Sequence, residues 1–422
     1  MKTYTPELSP SVLGRLADYA ASFAEDFPQA RPAAWAGVYL QGLLLDGERK
    51  SIEPLSRRVT LPQGLAVQDP EQALQQFVNQ SPWDEAKVLR RYRRAMADTF
   101  ASPQGIFLFD DVSCPKQGAH SVGVQRQYCG ALGKKASCQV AVTVHYVSPW
   151  GHYPLDLRLY LPDSWLCDER RLDRAGVPEG QRRTLSKPQI ALELLDRVRG
   201  EGLPGWAVVA DAGYGVSGDF RDGLQARDLS YIVGVTEDFV VFTGQPRWEQ
   251  PAWSGRGRRP TRMQLAEGSP RPIALSALAK QVRLRRVTWR EGTKGKLSGR
   301  FAWLRVWPAQ GWQSGDCAGA DPLWLLIEEQ ADGKIKYAFS NLPEGTGVKK
   351  AVRLWKSRWP VEQGYQQMKE ELGLDHFEGR SWRGFHHHAA LVMLAYGFLL
   401  LERHRGEGRP AKPGKKGVDS RR

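Results

Sequence analysis

Acidic residues follow two strongly apolar segments that lie far apart in the chain. Residues 105–111 read GIFLFDD and end in Asp110 and Asp111, and residues 206–212 read WAVVADA and lead into Asp211. Short apolar runs of this kind are typical of central strands that are buried on both faces. The sequence therefore predicts a sheet in which acidic side chains stand at the ends of strands.

A third acid belongs to the same pattern. Glu362 lies in the segment KSRWPVEQGYQQMK, four positions after Arg358 and seven before Lys369. Carboxylate oxygens are ligands that suit Mg²⁺, and three carboxylates are what a two-metal phosphodiester site needs. One of Asp110 and Asp111, together with Asp211 and Glu362, therefore makes up the predicted catalytic set and the predicted ligands of Mg²⁺, for which Mn²⁺ can substitute.

The spacing around Glu362 indicates further roles. On a continuous helix Arg358, Glu362 and Lys369 share one face. Two cations beside a metal-binding carboxylate suit a scissile DNA phosphate, whereas the alternative is a solvated helix face. Trp359 would lie near this face, where its ring either stacks on an unpaired base or belongs to the core.

The charge balance points to a polyanionic partner. Lys and Arg total 60 against 46 Asp and Glu, which gives a net charge of +14 and a pI near 9.6. Such a balance favours nucleic acid as the partner, although solubility alone is an alternative explanation. Basic residues cluster at 49–58, 90–94 and 256–262.

The cysteines and the apolar segments favour a cytoplasmic protein that does not enter a membrane. The five cysteines form no C-x-x-C pair and are irregularly spaced, which fits reduced thiols. The segment MKTYTPELSP at the beginning of the sequence lacks the apolar region of a signal peptide. The longest apolar helical stretch, Ala389–Leu401, has thirteen residues, which is too short to span a bilayer, so it is predicted to be a buried core helix.

Four stretches differ in pattern. Residues 1–100 show helical periodicity and are predicted to form either a DNA-binding domain or a helical packing domain. Residues 101–237 and 346–405 read as one α/β domain, with strands at Gly105–Asp111, Gln139–Val147 and Tyr153–Leu161, a helix that begins at Ser186 and a helix at Val361–Leu372. Residues 238–345, rich in Trp, Gly and Arg, read as a β-rich insertion. Residues 406–422 are basic and rich in Pro and Gly, so we expect a disordered tail.

These segments resemble a known family. The order of strands and helices, with one strand ending in Asp and a late helix bearing Glu, resembles the ribonuclease H-like fold. The spacing of Arg358, Glu362 and Lys369 resembles the Tyr-Arg-Glu-Lys signature of DDE transposases from bacterial insertion sequences. The segments FDDVSCPKQGAHSVGVQRQYCG, ADAGYG and WREGTKG resemble the branch whose first motif is Asp-Asp-Thr-Gly-Phe-Pro-Lys, and the resemblance covers roughly residues 30–400.

The chain departs from that pattern at two positions. Trp355 stands where the signature has Tyr, so the ring is kept and the hydroxyl is lost. Val112 stands where the family's Asp-x-Thr motif has Thr, so the β-branched shape is kept without the hydroxyl. Both faces of the first strand are apolar, so alternation does not separate Asp110 from Asp111. The family register favours Asp110, and Asp111 is the second candidate.

The resemblance implies a fold and an activity. It implies an α/β fold with a ribonuclease H-like mixed sheet flanked by helices, an N-terminal helical domain and a β-rich insertion. It also implies a bacterial, nucleoid-associated enzyme that cleaves transposon ends in double-stranded DNA and joins the 3′-hydroxyl to target DNA, acting as a homodimer on paired ends. The alternatives are a non-catalytic DNA-binding remnant and a stand-alone Mg²⁺-dependent nuclease. His386, His387 and His388 point in different directions on a helix, which argues against one shared metal ion.

Overall fold

The computed structural model describes residues 10–65, 67–253, 255–292 and 295–406. These residues form an α/β structure with a large mixed sheet flanked by helices, consistent with a ribonuclease H-like fold. The chain divides into two compact units. The first takes in the residues up to Gly205 together with those from Trp359 onward, and the second is Trp206–Arg358.

Five helices open the first unit, as the periodicity predicted. They are α1 Pro10–Ala21, α2 Ala30–Leu44, α3 Ile52–Ser56, α4 Pro70–Asn79 and α5 Glu85–Phe100. Asp84 caps α5 by accepting a hydrogen bond from the backbone N–H of Ala86 at 2.9 Å, so the helix begins directly after it. Arg93 of α5 is buried and bonds to Asp156 and Glu201, so this arginine stabilises the fold and does not face solvent.

Four antiparallel strands follow in the same unit: β1 Ile106–Pro115, β2 Gln125–Cys129, β3 Lys134–Val147 and β4 His152–Leu159. The long strand β3 pairs with each of the other three. β1, β3 and β4 were predicted, whereas β2 was not, because its polar residues give no apolar run. The helices α6 Asp163–Leu166, α7 Glu169–Ala175 and α8 Lys187–Gly200 follow, and a capping box at Ser186 begins α8 at the predicted position.

The second unit contains a mixed sheet in the order β10-β7-β12-β13-β14-β6-β5, with β11 paired to β12. Strands β5 and β6 are parallel and the other pairs are antiparallel. Its elements are β5 Ala207–Ala210, α9 Ala212–Gly215, α10 Gly218–Gln225, β6 Ser230–Val235, β7 Val240–Phe242, β8 Trp248–Glu249, β9 Gln264–Leu265, β10 Ile273–Ala274, α11 Leu275–Ala279, β11 Arg285–Gly292, β12 Gly295–Pro308, β13 Leu323–Glu329, β14 Ile335–Ser340 and α12 Val348–Trp355.

The helix predicted over residues 361–372 is interrupted. A 3-10 turn, Lys356–Arg358, follows α12, and the first unit resumes with α13 Trp359–Gln366 and a π-helical segment, Gln367–Glu371. Arg358, Glu362 and Lys369 therefore do not lie on one continuous α-helix, and that they share one face stays a prediction. A 3-10 turn and a π turn each rotate the chain by a different angle per residue than an α-helix does.

The last described helix, α14 Trp382–Gly406, is the core helix of the first unit. It has 25 residues, so the expectation that it would be too short to cross a bilayer is wrong, but 89% of its apolar window is buried inside the protein. It packs against α2, α4, α5 and β4. Of the disordered tail predicted for residues 406–422, Gly406 is the last residue of α14 and the rest lies outside the described residues.

The three consecutive histidines of α14 are buried core residues that bond in different directions. The ring of His386 lies against Trp382, that of His387 contacts the carbonyl oxygens of Val78 and Trp83, and that of His388 bonds to the Tyr39 hydroxyl. Burial lowers the pKa of each of the three to about 4. The prediction that they do not share a metal ion agrees with this arrangement.

Candidate active site

Asp110 and Asp111 lie on opposite faces of β1. Asp110 stands directly opposite Thr143 of β3, and Asp111 stands opposite Val142. Residues that are directly opposed across antiparallel strands project from the same face of the sheet, and neighbours along a strand project from opposite faces. Asp110 therefore shares a face with Thr143, and Asp111 belongs to the other face.

Asp111 forms an ion pair. The Nζ of Lys187, in the first turn of α8, lies 2.6 Å from Oδ2 of Asp111, and each side chain is about one third exposed. The helix α8 packs against β3 and β4, so the Asp111 face of the sheet is the face that α8 covers. A cation at hydrogen-bond distance competes with any metal ion for this carboxylate.

The face of Asp110 is joined to the helix that carries Glu362. The Thr143 hydroxyl donates to the backbone carbonyl of Asp110 at 3.0 Å and forms a second, short hydrogen bond with the hydroxyl of Tyr365. Tyr365 lies three residues after Glu362 on α13, one helical turn further on. This chain of hydroxyl contacts, which we call the Thr143–Tyr365 link, ties α13 to the strand pair that bears Asp110, and Glu362 is exposed on that helix.

Close packing supports the same contact. Gly364 of α13 is buried, and a Cβ at this position would lie 3.3 Å from the Tyr396 hydroxyl and 3.8 Å from Cε1 of His145. His145 lies two residues after Thr143 on β3 and its ring meets that of Tyr365 edge to face at 4.6 Å. Burial, with a smaller contribution from His152, lowers the pKa of His145 to about 3, so its ring is neutral at physiological pH.

Asp211 lies in the second unit, where the buried strand β5 ends. Its carboxylate caps the following turn by accepting a hydrogen bond from the backbone N–H of Gly213 at 2.9 Å. The turn packs closely on β6: a Cβ on Gly215 would lie 2.0 Å from the carbonyl oxygen of Gly234, and one on Gly234 would lie 2.7 Å from the nitrogen of Ala212. Glycine is needed here for close approach of two backbones, which fixes the position of Asp211 within this unit.

Arg358 belongs to the second unit and its turn contacts β5, the strand that leads into Asp211. Its guanidinium lies 5.8 Å from the centre of the Trp355 ring. The indole N–H of Trp355, which is buried, donates to Glu328 at 2.7 Å, and Lys356 forms an ion pair with the same carboxylate. The indole thus supplies a hydrogen-bond donor at the position where the signature has the tyrosine hydroxyl.

The sequence interpretation missed Glu328 and Thr143. Glu328 ends an apolar strand, and nothing in its own neighbourhood relates it to Trp355, which lies 27 positions later in the chain. Thr143 occupies an ordinary position in the alternating strand QVAVTVHYV. Only the strand register, which brings Thr143 opposite Asp110, indicates its role.

The remaining two predicted site residues differ in exposure. Trp359, the first residue of α13, is 55% exposed, so the alternative that it is a core residue is wrong. Lys369 is half-buried in the π-helical segment. Both belong to the first unit together with Asp110 and Glu362, whereas Asp211 and Arg358 belong to the second.

The donor chemistry of the three acids fits a hard divalent cation, because each offers carboxylate oxygens. Asp110 is on the face that packs against α13, Glu362 is on α13 itself, and Asp211 follows a buried strand end. Within the described part of the chain, no three His, Cys, Asp or Glu side chains are grouped closely enough to form a metal-binding cluster. The fit of these acids to a divalent cation therefore rests on their carboxylate chemistry and on their positions relative to the strands and to α13.

Comparisons with known proteins relate the chain to a family of endonucleases and to a probable transposase. A family model described as DDE superfamily endonuclease matches residues 22–296, a range that includes Asp110 and Asp211 and ends before Glu362. A probable transposase for insertion sequence element IS701 from Microchaete diplosiphon is 29% identical over 226 residues, which is 53% of this chain and 54% of that protein. The chain thus spans about half the length of the curated relative that it matches.

Proposed function

The chain belongs to the DDE superfamily of endonucleases, and we propose that it is a DNA transposase that cleaves transposon ends and joins the freed 3′-hydroxyl to target DNA. DDE superfamily endonucleases generally use divalent metal ions. The observation that carries the proposal is the Thr143–Tyr365 link, which fixes the helix bearing Glu362 on the Asp110 face of β1. The similarity to a probable IS701 transposase supports transposition as the outcome of cleavage.

Three carboxylates would hold the cation in this proposal: Asp110, Asp211 and Glu362, with Mg²⁺ as the metal and Mn²⁺ as a substitute. When bound, the cations would lower the pKa of the attacking hydroxyl or water and stabilise the leaving oxygen. Asp111 takes no part as a ligand, because it projects from the other face of β1, where its carboxylate pairs with the Nζ of Lys187 at 2.6 Å. Its role is to fix the start of α8.

The cations of the signature would bind phosphate. Arg358 offers a planar fork of N–H donors that suits a phosphate oxygen pair, and the Trp355–Glu328 hydrogen bond fixes the turn on which it stands. Lys369 would contact a phosphate near the cleaved bond as a point charge. Trp359 is exposed enough to stack on an unpaired base at a cleaved end.

Substrate and assembly follow from the same proposal. The partners are double-stranded transposon ends and target DNA, bound by a homodimer on paired ends in the bacterial cytoplasm, at the nucleoid. Residues 1–100 are proposed to contribute to end binding, and residues 238–345, the β-rich insertion, to contacts within the paired-end complex. The net charge of +14 supports binding to a polyanion.

The test uses the full chain and DNA carrying the flanks of its own gene as substrate. We expect wild-type protein in Mg²⁺ to cut at the element's ends and to join them to a second duplex. Glu362→Gln keeps the side-chain shape and removes the charge of a metal ligand, so cleavage should be lost while end binding is retained.

Three results would contradict the proposal. Glu362→Gln protein that still nicks ends at nearly the wild-type rate would show that Glu362 is not a ligand. Cleavage by the wild type without joining would favour a stand-alone nuclease, and end binding without any cleavage would favour a regulatory remnant.

A further inference from the structure

A two-stranded ribbon extends the sheet of the first unit past the end of β1 and bends back onto that strand. Strand β3 begins at Lys134, but its pairing with β1 starts only at Cys138 and that with β4 only at Ala141. Residues 134–137 therefore pair with β2 alone, among the strands that the structure describes. We call residues 125–137 the β2–β3 ribbon; a short 3-10 turn, Gly130–Leu132, forms its tip with Gly133 in the left-handed conformation.

One face of the β2–β3 ribbon carries two cations around an aromatic ring. Arg126 and Tyr128 are two positions apart on β2 and so share a face, and Lys135 lies directly opposite Tyr128. All three are exposed, and Tyr128 is 63% exposed. Leu132 at the tip is 47% exposed. This arrangement offers an apolar contact for sugars and bases beside two cations for phosphates.

The surrounding charge has a single sign. No acidic residue occurs between Val112 and Leu155, a stretch that contains Lys116, Arg126, Lys134 and Lys135. In the described part of the structure, Arg126, Lys134 and Lys135 form no ion pair with an acidic side chain. Their charge is therefore available to a partner, and the chemistry that complements it is polyanionic.

The ribbon is held firmly to the strand that bears Asp110. The Ser113 hydroxyl oxygen of β1 accepts a hydrogen bond from the backbone N–H of Ala131 at 3.0 Å, which fixes the tip. Beneath the exposed face, Cys129, Cys138 and Val140 form a small buried cluster with Ala136 packed on it. A surface that is fixed in this way loses little conformational entropy when it binds.

We propose that the β2–β3 ribbon binds a groove of duplex DNA, with Arg126 and Lys135 on phosphates and Tyr128 against the sugars and base edges between them. The major groove is wide enough to admit a two-stranded β-ribbon. Strand β3 connects this surface to Thr143, the residue opposite Asp110. The binding surface itself does not depend on the proposed function.

The first test measures binding of a random duplex across a salt series, without divalent metal. Neutralising two phosphates contributes about 1.8 to the slope of log K against log salt. We expect Arg126→Gln/Lys135→Gln to lower the slope by about that amount. The control, Arg170→Gln/Arg174→Gln, removes two exposed cations from α7 of the same unit and should leave the slope unchanged.

A second pair of variants isolates the ring. Tyr128→Ala should weaken duplex binding about tenfold, and Tyr128→Phe, which keeps the ring, should bind as the wild type does. Because Tyr128 is largely exposed, both variants should unfold at the wild-type temperature. On end DNA, a hydroxyl-radical footprint of Arg126→Gln/Lys135→Gln should lose protection over one short stretch and keep it elsewhere.

An unchanged salt slope in Arg126→Gln/Lys135→Gln would overturn the proposal. So would a variant that binds DNA normally but fails to dimerise, since the ribbon would then contact a second copy of the chain. The two proposals fail separately. If the slope is lowered in the variant but the wild type never cleaves DNA, the transposase function is refuted and the ribbon proposal stands. If the wild type cleaves DNA but the slope is unchanged in the variant, the ribbon proposal is refuted and the transposase function stands.

Discussion

The two faces of β1 carry adjacent acids in different surroundings. Asp110 lies on the face with Thr143 and His145, against which the Tyr365 helix packs, and Asp111 lies on the face that α8 covers, with Lys187 as its ion-pair partner. One face is built from hydroxyls and a neutral imidazole, and the other from a salt bridge. The difference teaches that the element packed on a strand, rather than its sequence, decides which of two neighbouring carboxylates is placed for chemistry.

The largest expected effect separates the two acids directly. Asp110→Asn removes the charge of a proposed metal ligand, and losing several kcal/mol of transition-state stabilisation should slow metal-dependent cleavage by about 10³-fold. Asp111→Asn breaks a pair that is about one third exposed, which is worth at most about 1 kcal/mol, so cleavage should fall no more than about fivefold. Initial rates of end nicking in Mg²⁺ measure both effects.

Lys187→Gln is the control for this comparison, since it breaks the same ion pair without touching either acid. It should behave like Asp111→Asn. If Asp111→Asn abolished cleavage while Asp110→Asn retained it, Asp111 and not Asp110 would be the metal ligand.

An effect of intermediate size concerns the Thr143–Tyr365 link. Tyr365→Phe removes one hydroxyl and Thr143→Val removes the other, and a hydrogen bond of this kind contributes about 1 kcal/mol net. Each variant should slow cleavage roughly fivefold, because the helix of Glu362 is held less firmly. Both substitutions break the bond between the two hydroxyls, and Thr143→Val also removes the bond to the Asp110 carbonyl, so the double variant should be no slower than Thr143→Val alone. If the double variant instead slowed cleavage by the product of the two single effects, the two hydroxyls would act independently.

Much of the fold was predictable because its signals are local. The apolar segments gave β1 and β5, Ser186 gave the start of α8, and the burial of α14 followed from its composition. The π turn after Gln366 was not predictable, because its residues have ordinary helical propensity. The domain boundaries at residues 101, 238 and 346 stay a prediction.

The candidate site was predictable only in part. Its acids follow apolar strands and could be found, but alternation did not choose between Asp110 and Asp111 because both faces of β1 are buried. The side chains that distinguish the two acids lie far away in the chain. Thr143 and Tyr365 are 33 and 255 positions from Asp110, and Lys187 is 76 positions from Asp111, so no local pattern reveals these contacts. The donor that Trp355 gives to Glu328 was hidden for the same reason.

The last prediction concerns stability rather than cleavage, and it tests whether the Asp110 face is kept free of positive charge. His145 is buried, and in the described structure neither ring nitrogen has a hydrogen-bond partner. Its pKa is about 3 in the folded protein against about 6.5 when unfolded. The folded pKa is the lower of the two, so the stabilising effect is complete above pH 6.5 and is lost as the pH falls from 6.5 towards 3, because only the unfolded chain takes up the proton.

Replacing the imidazole should remove that acid sensitivity. As the pH falls from its unfolded pKa towards its folded pKa, each such histidine lowers the free energy of unfolding by about 1.4 kcal/mol per pH unit. His152, whose pKa burial lowers to about 4, adds a similar dependence. His145→Phe keeps the ring and should reduce the slope of unfolding free energy against pH, measured by denaturant titration at pH 6.5, 5.5 and 4.5, by about 1.4 kcal/mol per unit. The exposed His120→Gln should leave the slope as it is. An unchanged slope in His145→Phe would mean that the imidazole is protonated in the folded protein, and the Asp110 face would then carry a buried cation beside the helix of Glu362.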